Sequence, residues 1–179
     1  MLLAAAVLFF NACTNKKADI DALTSKASVQ EDRATGVTII YSKGGSVESR
    51  LFAKTFIRNE VAKPPYVDLK DGLKAEFYGD SLHLTNTLTA GTGRWYESEG
   101  NIILRDSVKV INDKGEMLNT DELVWNEKLK EFYTDKPVKI TTATQIISGI
   151  GMESNQDFSW YRIKNITGAV AVEKSSLPE

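Results

Sequence analysis

The chain holds a single histidine, His83, in the run Ser81-Leu82-His83-Leu84-Thr85-Asn86. An imidazole can act as a general base or a metal ligand, but either role needs partners. There is no second histidine, and the only cysteine, Cys13, lies far upstream. Serine chemistry through His83 would need a nucleophile signature, and none accompanies it. Gly149-Ile150-Gly151 is a lone G-x-G without the following helix that a phosphate loop requires. The carboxylates mostly alternate with lysines, as in Asp113-Lys114-Gly115-Glu116 and Asn126-Glu127-Lys128, the pattern of a solvated face. Asn165-Ile166-Thr167 carries the letters of a glycosylation acceptor and nothing more. These residues point to no catalytic centre, no metal site and no cofactor, so the chain reads as a non-enzyme.

The one side chain placed for covalent chemistry is Cys13. Residues 2–10 form an uncharged apolar run, and Asn11-Ala12 precede the cysteine. The run is too short to span a bilayer, which takes roughly 20 residues, but matches the apolar core of a secretory signal. A small residue before a cysteine at the end of such a run resembles the lipobox of bacterial lipoproteins, where the signal is removed and the sulfur carries a diacylglycerol. The basic start of a signal is missing, so a longer upstream helix is the alternative anchor. Residues 1–12 are read as signal and residues 13–35, rich in Lys, Asp, Ser and Thr, as a tether. About 23 residues reach at most roughly 75–80 Å when stretched, and about 25–30 Å as a flexible coil.

The body that follows must position whatever function there is. With 179 residues the chain is one ordinary domain in size, and a net charge of −2 gives no basic surface for nucleic acid. From Val37 onward apolar and polar residues alternate. Ile102, Leu104, Val108 and Val110 share one parity, with Arg105, Ser107 and Lys109 on the other. Val138 and Ile140 flank Lys139, while Leu73, Ala75 and Phe77 flank Lys74 and Glu76. This period of two marks half-buried strands. Turn residues separate them at Lys43-Gly44-Gly45, Tyr78-Gly79-Asp80, Asn112-Asp113-Lys114-Gly115 and Ser154-Asn155-Gln156-Asp157. Phrases also recur about 30 residues apart: Leu88 and Leu118, Trp95 and Trp125, Val108 and Val138, with Ile147 and Val170 near the next steps. Asp71-Gly72-Leu73-Lys74-Ala75 is echoed by Asp106-Ser107-Val108-Lys109-Val110. Such a period implies stacked units, each of two to four short strands, burying one continuous face. The final strand candidates, Trp160 to Lys164 and Ala169 to Val172, lack proline and have no later partner, which leaves an edge open to strand addition.

Several stretches in this order resemble the LptC family, periplasmic components of the lipopolysaccharide export transporter. They are GVTIIYSKGGSVESRLFA (36–53), GLKAEFY (72–78), LTAGTGRWYESEGNIILRDSVKV (88–110), GEMLNTDELVWNEKLKEFYTDKPVKI (115–140) and ISGIGMESNQDFSWYRIKNITGAV (147–170). The resemblance implies an all-β fold, an open, twisted antiparallel β-jellyroll, here residues 36–174 with a short tail at 175–179. It implies an apolar interior that holds lipopolysaccharide acyl chains, loading by an LptB, LptF and LptG complex, and edge-to-edge stacking onto an LptA-like bridge protein. It places the domain in the periplasm, tethered to the inner membrane. Many members keep an amino-terminal membrane helix where this chain shows Cys13.

An interior for acyl chains would be lined by Leu73, Phe77, Leu88, Ile102, Leu104, Val108, Val110, Val138, Ile140 and Ile147. The partner edge would carry Trp160, Ile163 and Val170. Trp95 and Trp125 would cap this groove or fill the core. The competing reading is a structural or sugar-binding surface lipoprotein on the same scaffold. Sugar sites favour exposed aromatics beside Asp or Asn on loops, whereas most aromatics here lie within strand phrases. If Cys13 carries the anchor, Cys13→Ser moves the protein from the membrane fraction to the soluble periplasm and abolishes acyl labelling. A mutant that stays membrane-bound assigns the anchor to an upstream helix.

Overall fold

The computed structural model describes residues 31–171; Cys13 and the signal and tether readings of residues 1–30 lie outside them. Ten antiparallel strands make one sheet: β1 (Glu31–Lys43), β2 (Ser46–Asn59), β3 (Tyr66–Tyr78), β4 (Leu84–Ala90), β5 (Thr92–Tyr96), β6 (Asn101–Asn112), β7 (Met117–Asn126), β8 (Glu131–Thr141), β9 (Gln145–Asn155) and β10 (Tyr161–Ala171). They pair in chain order, except that the short β4 and β5 share one place between β3 and β6. The expected all-β jellyroll is the fold observed, and the turns anticipated at Gly44, Gly79, Asp113 and Asn155 separate its strands.

The 30-residue period has a simple origin. A strand and its turn occupy about 15 residues, so the repeat is one hairpin of two long strands, not two to four short ones. Residues one period apart therefore lie two strands apart on one row. Leu88 and Leu118 both face Val110, Trp95 and Trp125 both face Ile102, and Val108 and Val138 both face Thr120. One such row runs unbroken through Ile39, Leu51, Ala75, Leu88, Val110, Leu118, Ile140 and Ile147 to Ala169, crossing every strand but β5. The next row on the other face is polar: Lys74, Thr89, Lys109, Asn119, Lys139 and Ser148.

Most strands break register midway, and these breaks align into a corner across the sheet. They fall at 53/55 in β2, 105/108 in β6, 120/124 in β7 and 134/137 in β8, while Gly91 interrupts β4 and β5. The echoed Asp-Gly and Asp-Ser phrases are this corner. Asp71, Gly72, Asp106 and Ser107 all take positive φ (64°, 103°, 67° and 58°), a conformation that glycine adopts freely and Asp tolerates best among larger residues. Hydroxyls staple the bends. Thr55 Oγ1 donates to Asp71 at 2.7 Å, Thr92 Oγ1 to Asp106 at 2.7 Å, and Thr120 Oγ1 to the Pro137 carbonyl at 2.8 Å. The two-residue bulge at 106–107 preserves parity, so Ile102, Leu104, Val108 and Val110 all remain on the inner face.

Beyond the corner each strand folds back, and the inner face packs against itself as two layers. Phe77 from one layer meets Trp125 at 4.8 Å and Phe132 at 5.5 Å from the other, both edge to face, a geometry that adds about 0.5–1.5 kcal/mol per pair beyond burial.

Two expectations need correction. The folded part begins at Glu31, inside the segment read as tether. Residues 31–35 are wholly exposed and held by ladder bonds to β2, so no apolar alternation marks them. The final strand is one continuous β10, beginning after Trp160. Because Phe77 joins both layers, Phe77→Ala should lower unfolding free energy by about 3–5 kcal/mol, read as a reduced urea midpoint with unchanged slope.

Candidate functional site: a dry interior between two free edges

Leu73, Phe77, Leu88, Ile102, Leu104, Val108, Val110, Val138 and Ile140 are all buried, none more than 4% exposed, and belong to one connected cluster. Ile147 is half-buried at the β9 end of its row. The corner and the fold-back bring together residues far apart in sequence, because each layer draws on every long strand. Trp125 is core, and Trp95 is half-buried against it. Lys109 and Lys139 sit on the opposite, exposed face.

The interior is filled by the protein's own side chains rather than open as a trough. Beside Val110, Leu118 and Ile140 there remains a cavity of about 10 Å³, closed by Phe158 and Tyr161. Burial pushes the Tyr161 hydroxyl pKa up, and the Glu116 carboxylate adds to the shift, so the phenol stays neutral. At this side, opposite the corner, the layers meet through turns. Lys130 pairs with Glu48 at 2.9 Å, Trp125 Nε1 donates to Gln156 Oε1 at 3.1 Å, and Asn86 Nδ2 donates to the Gln156 carbonyl. Glu127, in the same seam, has its carboxyl pKa raised by burial.

Asn86, Gln156 and Phe158 were not singled out from the sequence. The available signal was a bulky aromatic, Phe158, directly after the turn residues Ser154-Asn155-Gln156-Asp157.

The sheet has two outer strands, β1 and β10, each with one side unpaired among the described residues. On β10, Ile163 packs against the core, whereas residues 165–171 are exposed, with Ile166 and Val170 at 65% and 64%. Trp160 precedes the strand, exposed, with Arg162 over its ring at 5.4 Å. Asn155 N–H donates to the Trp160 carbonyl at 3.3 Å. Antiparallel alternation then turns the N–H and C=O of Ile163 away from β9, toward the free side. Gly149 lets this strand approach: a Cβ there would lie 2.6 Å from the Asn165 carbonyl oxygen. That close packing, not phosphate binding, is the use of the G-x-G pair.

His83 lies exposed with Nε2 3.1 Å from an Asp113 carboxylate oxygen. Among the described residues no cluster of three or more His, Cys, Asp or Glu could hold a metal, and no helix is long and apolar enough to cross a membrane.

None of the curated proteins matches the chain. The family described as "Lipopolysaccharide-assembly, LptC-related" matches residues 1–167. That family is one of periplasmic, inner-membrane-associated transport components rather than enzymes. A match over nearly the whole length, on a bent all-β sheet with a dry interior, makes this chain a member of the LptC family, involved in lipopolysaccharide transport.

Proposed function

We propose that the domain is a carrier that receives lipopolysaccharide from an inner-membrane ABC transporter complex, LptB with LptF and LptG, and passes it along a bridge of similar jellyrolls. The observation that carries this reading is the apolar row from Ile39 on β1 to Ala169 on β10. It is buried between the layers from Leu51 to Ile140 and reaches the outer strands at the half-buried Ile39 and the exposed Ala169, so a second jellyroll added at either edge would cover and extend it. An acyl chain needs such a surface, since each CH₂ kept from water is worth about 0.8 kcal/mol. Acylated Cys13 would hold the carrier at the membrane, while the polar outer row keeps the rest soluble.

In this reading Leu73, Phe77, Leu88, Ile102, Leu104, Val108, Val110, Val138, Ile140 and Ile147 contact acyl chains once the interior is loaded. A photo-reactive side chain at Leu104, Val108 or Ile140 therefore cross-links lipopolysaccharide, and the same probe at Lys109 or Lys139 does not, because strand neighbours point to opposite faces. Equal labelling of both sets removes the interior as the carrier site.

Lipid leaves through the β10 edge, where Trp160, Ile163 and Val170 mark the docking strand for an LptA-like partner. Ile163→Pro removes an outward donor rather than a β9 ladder bond. It should abolish partner binding while circular dichroism and lipid cross-linking at Val108 persist. Undiminished partner binding by the folded mutant places the handover on another surface.

A further inference from the structure

The turn between β9 and β10 sends one side chain inward. Phe158 is buried, with its ring stacked on Phe132 at 5.4 Å, while its neighbours Asp157 and Ser159 are exposed. The ring borders the small cavity beside Val110, Leu118 and Ile140, the same side chains that the carrier reading assigns to acyl chains. We propose that Phe158 is a removable placeholder: its ring occupies the berth of a saturated acyl chain, and the turn 156–160 swings out to admit that chain. The proposal rests on the carrier reading and adds where the chain enters and what it displaces.

Three features fit the turn for this motion. Apart from those of Gln156, its side-chain bonds run within the turn or to Asn155, the last residue of β9, from which it springs. Asn155 Oδ1 accepts from Trp160 N–H at 3.0 Å, Asn155 Nδ2 donates to Ser159 Oγ at 2.7 Å, and Asp157 Oδ1 accepts from Ser159 N–H at 2.9 Å. Its polar attachment to the body beyond β9 runs through Gln156, whose N–H donates to the Lys130 carbonyl at 2.8 Å and which accepts from Trp125 and Asn86. The closed arrangement is also imperfect. Phe158 is held at φ 54°, an unfavourable conformation for a bulky residue. Asn86, 1% exposed, leaves its Oδ1 buried without a partner, a cost that opening to water removes. An acyl chain is the fitting occupant because the ring already there is uncharged and Val110, Met117, Leu118 and Ile140 give the cavity apolar walls, with Asn112, Glu116 and Tyr161 completing the lining. A phosphate would meet the like charge of the Glu116 carboxylate, and a sugar would bury hydroxyls against Val110, Leu118 and Ile140.

The test uses the full chain in detergent with purified lipopolysaccharide. Hydrogen–deuterium exchange reads the turn, and a photo-reactive probe at Val108 reads lipid entry. Lipopolysaccharide should speed amide exchange at 156–160 at least tenfold while β6–β8 stay protected. Phe158→Gly, which empties the berth and relieves the positive φ, should speed labelling at Val108 several-fold. If Val108 is labelled while the turn keeps or gains protection, the placeholder role is wrong and the carrier reading survives. If Val108 is labelled in neither protein, both fall together.

Discussion

A ten-stranded sheet with one apolar face cannot leave that face in water, and here no second sheet or helix covers it among the described residues. The long strands bend midway and the sheet covers itself. Everything else depends on that corner. It requires positive φ at Asp71, Gly72, Asp106 and Ser107, and a hydroxyl or carboxylate wherever the ladder opens. Thr55, Thr92 and Thr120 supply those bonds. Where the ladder lapses, the threonines give the Asp71 and Asp106 carboxylates and the Pro137 carbonyl a hydrogen-bond partner in place of a ladder bond.

Folding a sheet over itself leaves a dry interior that spans β2 to β9, and two outer strands that, among the described residues, do not pair with each other. A sealed barrel would have no edges but would also have no way to join its interior to a neighbour's. The exposed Ile166 and Val170 on β10 are a liability for an isolated domain; they are coherent if another strand covers them. The same geometry explains why Lys109 and Lys139 lie beside Val108 and Val138 in sequence yet face water.

The side opposite the corner is different in kind. There the layers touch through turns, a part-buried Lys130–Glu48 pair and the bonds to Gln156, not through continuous strands. The seam is held by a few polar bonds, whereas the corner is held by the backbone of every long strand. It is also where Phe158, an interior aromatic at positive φ, is found.

How far the sequence went can be followed residue by residue. The alternation around Lys109 and Lys139 assigned the inner face, because strand side chains must alternate. The 30-residue echo of Leu88 in Leu118 and of Trp95 in Trp125 revealed a regular sheet, because equal strand lengths repeat the same row. The pairing of Asp71-Gly72 with Asp106-Ser107 was visible as an echo, but its meaning was not. A corner is a property of strands aligned side by side, and no single stretch records the alignment. The start of β1 at Glu31 escaped for a related reason: an edge strand held by backbone bonds alone has no apolar pattern to read. Only the fold-back decided that Phe77 would meet Trp125 and Phe132, that Asn86 would reach Gln156, and that Phe158 would turn inward. Those contacts depend on the angle between two layers, a quantity set by the corner as a whole and encoded in no local spacing.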